Sequence, residues 1–147
     1  MTREEAMRTA RGIIQTQNLG VLATAGEEYP YTSLVGFFAE DDLRTIVFAT
    51  SRDTTKYQNL AVNGKVSFLI TNSANREADF SEAAVVTALG FAKDVSPDKE
   101  RNYKERYLLK FPFLNKFVND ESTAIIGLQV EKYVIVNRFQ DVNEVVP

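Results

Sequence analysis

The strand-forming runs of this chain are short, and a turn signal follows each one closely. Residues 21–25 read as a short strand and run into Gly26 to Glu28, a turn. Residues 31–39, rich in aromatic and β-branched types, end at Glu40-Asp41-Asp42. Residues 45–50 form a third strand, 57–62 a short helix, and Asn63-Gly64 a tight turn into a strand over 66–70. Strands joined this tightly pair antiparallel, because a parallel neighbour requires a long crossover. A small closed antiparallel barrel with helices packed outside it is the architecture that fits.

The rest of the chain supplies the helices and the remaining strands. Residues 2–17 read as a helix. Thr2 and Glu5 are spaced as a capping box, Ala6, Ala10, Ile13 and Ile14 recur at helical spacing, and Gly20 follows as a stop signal. Residues 71–82 are polar, and their carboxylates Glu77, Asp79 and Glu82 read as surface. A long strand over 83–92 precedes Ser96-Pro97, an N-cap and a first helical position, and this helix stops before Pro112. One more helical turn is expected over 113–118, then strands over 123–130 and 133–136. The expected class is mainly β with helices (α+β), about six antiparallel strands in one domain over 1–147.

Composition narrows the chemistry. The chain has 147 residues, 44% hydrophobic and 25% charged, close to a globular average. The net charge is −3 and no basic stripe is interleaved with aromatics, so nucleic acid is not an expected partner. No apolar run is long enough to span a bilayer, and MTREEAMRTARG lacks the apolar core of a signal peptide, so a cytoplasmic location is expected. There is no Cys, no His and no Trp. Thiolate nucleophiles, Ser–His–Asp triads and imidazole ligation of a metal are thereby excluded. The acidic turn Glu40-Asp41-Asp42 reads as solvated, not as a metal site. An organic cofactor that carries its own reactivity escapes these limits, since the protein then supplies binding and electrostatics.

One segment crowds donors. Between the strand ending at Thr50 and the helix at 57–62 stand Ser51, Arg52, Thr54, Thr55 and Lys56. Hydroxyls and a Lys at the start of a helix suit a phosphate, because the helix N-terminus adds free N–H groups and partial positive charge. The alternative is a capped surface helix with Lys56 in water. The segment alone leaves both readings open.

Read together, LGVLATAGEEYPYTSLVGFF, a strand ending FAT, SRDTTKYQNLAVNGKVSFLI and VVTALGFAKDV resemble the FMN-binding split-barrel family, the relatives of pyridoxamine 5′-phosphate oxidase. The resemblance covers residues 19–94 and continues loosely through YLLKFP and the last strands. It implies a split β-barrel homodimer with FMN at the subunit interface. By resemblance, Ser33, Leu34 and Val35 lie beside the flavin, partly through backbone groups, and Ala49 and Thr50 approach it from the next strand. Thr55 and Lys56 match the pair that grips the FMN phosphate, with Thr54 and Arg52 as helpers. At Val85, where the oxidase has a polar amide, any contact is apolar or lost.

The departures are equally specific. The pyridoxine oxidases carry an Arg where this chain has Ser33, a substrate-facing Lys at Phe38, and an Arg at Phe111. They also use an Arg–His pair near the C-terminus, and this chain has no His. The resemblance therefore implies a flavin-binding oxidoreductase of unknown substrate that is not a pyridoxamine phosphate oxidase, with no identifiable catalytic side chain. Tyr107 matches the family but reads as a packing residue. A non-catalytic split-barrel binding module is the alternative, and a deazaflavin cosubstrate is not separable from FMN. The haem-handling branch, loosely resembled by VEKYVIVNRFQDVNEV, would need Tyr or Met as axial ligand.

Overall fold

Thr2 caps the first helix as its spacing to Glu5 requires. The Thr2 Oγ1 accepts the Glu5 N–H at 3.1 Å and Glu5 Oε2 accepts the Thr2 N–H at 3.0 Å. The helix, α1, spans Arg3–Thr16 and buries Ala6, Ala10, Ile13 and Ile14. A computed structural model of the chain describes residues 1–138 and 140–147. Its strands are β1 (Leu19–Ala25), β2 (Pro30–Ala39), β3 (Thr45–Ser51), β4 (Lys65–Thr71), β5 (Ala84–Asp94), β6 (Thr123–Asn137) and β7 (Asp141–Val145). The helices after α1 are α2 (Thr55–Val62), α3 (Asp79–Glu82), α4 (Pro97–Lys110) and α5 (Asn115–Val118), with a 3₁₀ turn at Pro112–Leu114.

The strands follow the order β3-β2-β1-β4-β5-β6-β7, and β3 also pairs with β6, which closes the first six into an antiparallel barrel. This is the expected α+β split barrel. Alternation sends one side-chain face inward. Leu22, Phe37, Phe48, Phe68, Ile126 and Tyr133 fill the interior, and the buried face of α1 joins the same cluster. Phe37 and Phe68 meet edge to face at 5.3 Å. Consecutive residues Phe37 and Phe38 are both buried because α4 covers the outer face as well. Phe38, Val47, Ala49 and Ile125 pack there against Tyr103, Tyr107 and Phe111.

Three features depart from the sequence expectation. The strands expected over 123–130 and 133–136 are one strand, β6. The charged pair Glu131-Lys132 reads as a break, but Lys132 pairs with Leu89 and Val130 with Gly90, so the ladder steps over Glu131 without ending. β7 lies beyond the last expected strand. Its sequence DVNEV shows little hydrophobic alternation, with Val145 buried and Val142 exposed, and it gains regularity only by pairing with β6. The polar segment 71–82 holds the single turn α3. Asp79 nucleates it by accepting the N–H groups of Ala74 at 2.8 Å and Arg76 at 3.1 Å.

The β2–β3 turn is held from inside the barrel. Leu43 adopts φ 61°, and its carbonyl accepts the hydroxyl of buried Tyr133 at 2.7 Å. Burial pushes this phenol far above its usual range, so it stays a donor at any ordinary pH. Tyr133→Phe should lower stability by about 1–3 kcal/mol, the cost of an unsatisfied buried carbonyl. Urea unfolding checks this, and an unchanged midpoint would remove the bond from the account.

Candidate functional site

The barrel is split between β2 and β3. β2 pairs with β1 from Pro30 to Gly36, but with β3 only from Phe37 to Ala39. On its other edge β3 pairs with β6 along its whole length, from Thr45 to Ser51. The two strands therefore part at Gly36, and an edge of β2 is left without a strand partner. The Gly36 carbonyl lies on that edge, because it accepts the Tyr107 hydroxyl at 3.1 Å. Backbone alternation puts the N–H and C=O of Leu34 on the same edge. Open β edges of this kind carry ready hydrogen-bonding groups.

Tyr107 is more than packing. Burial raises its phenol to about 12, and the backbone of Ala49 nearby offsets part of that rise. The hydroxyl thus lies between β2 and β3 where they separate. Gly36 makes room for it, since a Cβ there would lie 3.1 Å from the Tyr107 hydroxyl and 3.3 Å from the Phe111 ring. Phe38 and Phe111 are buried in this outer cluster. Lys110 is also structural. Its Nζ donates to the carbonyls of Gln17 at 2.9 Å and Phe37 at 2.6 Å and sits 4.3 Å from the centre of the Phe37 ring. Burial lowers its pKa to about 8.

The turn after β3 is built around Thr54. Its Oγ1 donates to the Ser51 carbonyl at 2.7 Å, lies 3.1 Å from the Thr50 hydroxyl, and accepts the Tyr57 N–H at 3.4 Å. The Gln58 N–H reaches the Thr54 carbonyl. Thr54 is therefore the N-cap of α2, and Thr55 and Lys56 are left as the first-turn amides that nothing in the turn satisfies. Thr55 is exposed and Lys56 half-buried. Among the described residues Lys56 makes no hydrogen bond or ion pair, and desolvation lowers its pKa.

The other expected residues divide. Arg52 is tied to the start of β6, its Nη1 donating to the carbonyls of Glu121 at 2.9 Å and Thr123 at 3.2 Å. Val35, Ala49 and Thr50 are buried, whereas Leu34 is 65% exposed on the outer face. Ser33 shares the inward face with Val35, and its Oγ is buried without a hydrogen-bond partner among the described residues. A buried hydroxyl left unsatisfied is uncommon and calls for a missing partner. Tyr57, not singled out from sequence, donates its hydroxyl to Asp94 at 2.9 Å. That bond is the first cause of its raised pKa, and only the fold brings β5 to α2.

These residues fit a flavin phosphate and ring. Lys56, the Thr55 hydroxyl and the free first-turn amides offer a cation and donors, the open β2 edge offers backbone groups, and Ser33 has an unused hydroxyl. No group of acidic side chains able to hold a metal ion occurs among the described residues. Nor is any described helix long and apolar enough to cross a membrane.

Comparison with solved structures places the fold. A heme binding protein from Mycobacterium smegmatis superposes with TM-score 0.87 at 21% identity, covering 99% of this chain and 60% of that one. ChuZ from Campylobacter jejuni gives 0.84 at 10% identity, with 99% and 61% covered. General Stress Protein 26 from Bacillus anthracis gives 0.69 at 21% identity, with 97% and 99% covered. At these identities the likeness is one of fold, and this chain spans about 60% of the length of the first two. No curated protein matches by sequence. The family model for pyridoxamine 5′-phosphate oxidase matches residues 6–137, nearly the whole of the split barrel, and the chain belongs to that family.

Proposed function

We propose that this chain binds FMN across the interface of a homodimer and acts as an oxidoreductase. The observation that carries the reading is the unsatisfied Ser33 hydroxyl on the strand that parts from β3, together with a helix start whose Thr55 and Lys56 are uncommitted. In this reading Lys56 and Thr55 hold the phosphate. Leu34 offers its backbone to the ring, Ser33 and Val35 line the strand beside it, and Ala49 and Thr50 approach from β3. Thr54 and Arg52 act indirectly, one capping α2 and the other fixing the turn to β6. The flavin supplies electron transfer when bound, and the protein sets its orientation and polarity.

The surface round the split supports a second copy. Leu19 and Leu34 lie on the outer face with Gly36, and Leu109 and Phe113 flank Phe111, which sits against that glycine. These four are 51%, 65%, 84% and 80% exposed. An apolar surface of this kind is characteristic of an interaction site, and a two-fold dimer is the commonest way to cover one. Phe38 and Phe111, which by resemblance stand where the oxidases carry cations for the substrate phosphate, are buried among aromatics. The oxidase reaction on pyridoxine 5′-phosphate is therefore not expected.

The test is to titrate purified protein with FMN and to sediment it with and without the ligand. A yellow, dimeric complex of one FMN per chain is expected. A protein that rejects FMN is a binding module of another kind. A protein that rejects FMN yet gives a stoichiometric Soret band with haem would replace the flavin reading with a haem one.

A further inference from the structure

The outer face of β3, β6 and β5 carries a cleft of about 450 Å³ beside the first turns of α4. Strand register sets its floor. Thr45, Gln129 and Phe91 stand in one cross-strand row, and Val47, Gly127 and Lys93 in the next. Val47 is buried beneath α4, so the second row opens at Gly127. A Cβ on Gly127 would lie 3.2 Å from Val95 Cγ1 and 3.8 Å from Thr45 Cγ2, so a side chain there would fill the floor. Another glycine seats one wall. A Cβ on Gly64 would lie 2.5 Å from Phe91 Cζ, so the Phe91 ring rests directly against that glycine, and it remains 45% exposed. Lys99 and Tyr103, one turn apart on α4, form the opposite wall. Tyr103 is fixed by an edge-to-face contact with Phe38 at 5.9 Å. Lys93 and Lys99 both line the cleft, and neither makes a hydrogen bond or ion pair among the described residues. The carboxylates close by are committed. Asp94 accepts the Tyr57 hydroxyl at 2.9 Å. Asp98, beside Lys99, accepts a hydrogen bond from Ser96 that holds its carboxyl below the usual range.

We propose that this cleft binds a small aromatic carboxylate, its ring on Phe91 and its charge between Lys93 and Lys99. The proposal is independent of the flavin reading, because no residue of the cleft belongs to the flavin set. The cleft has the size of a small-molecule site. A ring already seated against backbone loses little freedom when a second ring stacks on it. Two lysines without counter-ions gain a shared partner in one anion. A single negative charge suits them, since Asp94 and Asp98 nearby oppose a dianion such as a phosphate. Gln129 and Thr45 share the row of Phe91 and offer both a donor and an acceptor to a ring hydroxyl. An anion without a ring would leave Phe91 uncovered. A ring without a charge would leave both lysines unpaired.

The experiment titrates para-hydroxybenzoate into the isotope-labelled protein, following amide shifts by NMR and affinity by calorimetry. Saturable shifts are expected at Phe91, Lys93, Gly127 and Gln129. The neutral para-hydroxybenzamide and the ringless anion acetate should each bind at least about tenfold more weakly. Phe91→Ala should weaken the acid by about fivefold, and the double substitution Lys93→Ala, Lys99→Ala by about tenfold. All three side chains are exposed, so the variants should keep the fold, which circular dichroism checks. Added FMN should leave the affinity unchanged. The proposal is overturned if no saturable shifts appear, if the amide binds as tightly as the acid, or if the double lysine variant keeps the wild-type affinity. Shifts confined to the open edge of β2, or binding that FMN competes away, would place the acid in the flavin site and overturn it too.

Discussion

Replacing Lys56 with alanine should weaken FMN binding by about tenfold to a hundredfold and leave riboflavin binding nearly unchanged. The FMN phosphate carries close to two negative charges. Charge-assisted hydrogen bonds to such a group are worth about 1.5–3 kcal/mol each, and 1.4 kcal/mol is a factor of ten. Lys56 is half-buried and makes no ion pair among the described residues, so its charge is uncompensated before a ligand arrives. Burial alone disfavours that charge, and a phosphate beside it reverses the sign of the effect. Riboflavin lacks the phosphate and supplies the control. If Lys56 only decorates a capped surface helix, neither ligand responds. Equal FMN affinity in the two proteins would remove Lys56 from the site.

The largest stability effect is expected at Gly90. It lies on β5 at the bulge, opposite Val130, where a Cβ would sit 2.0 Å from the Gln129 carbonyl oxygen and 2.9 Å from its carbon. The obstacle is backbone in the partner strand, so relief requires opening the β5–β6 ladder. Gly90→Ala should cost more than about 3 kcal/mol, at the upper end of single-site effects. Gly12→Ala is the contrasting substitution. It stands on α1 with nothing within 4 Å of its new Cβ and should stabilise by about 0.5–1 kcal/mol. Urea unfolding followed by circular dichroism reads both. An unperturbed midpoint for Gly90→Ala would show that the ladder yields at that point.

Much of this protein is local in origin and was legible as such. The capping box at Thr2 and Glu5 and Pro97 at the first position of α4 each rest on contacts within a few residues. β1 to β5 were likewise located from alternation and turn signals, to within two residues at each end. Their boundaries shifted because pairing with a neighbour extends a strand past its last apolar residue. β6 and β7 depart from the sequence expectation for the same reason. Glu131-Lys132 is a break in hydrophobicity but only a bulge in a ladder, and DVNEV becomes a strand because β6 already lies beside it.

The candidate site divides along the same line. Residue types alone pointed to the donor-rich turn from Ser51 to Lys56, since hydroxyls and a Lys before a helix are a local pattern. The division of labour inside it combines one tertiary contact with local ones. Arg52 turns to the β6 carbonyls, Thr54 serves the helix start, and Thr55 and Lys56 remain uncommitted. Tyr107 acquires its place between Gly36 and Ala49 only when α4 packs across β2 and β3. Sequence by itself determined β1 to β5 and the starts of α1 and α4, because these depend on short-range sterics and on local side-chain pattern. Tertiary structure alone decided where the barrel splits and which backbone edge stays open, because an unpaired edge is defined by the strand that is not beside it.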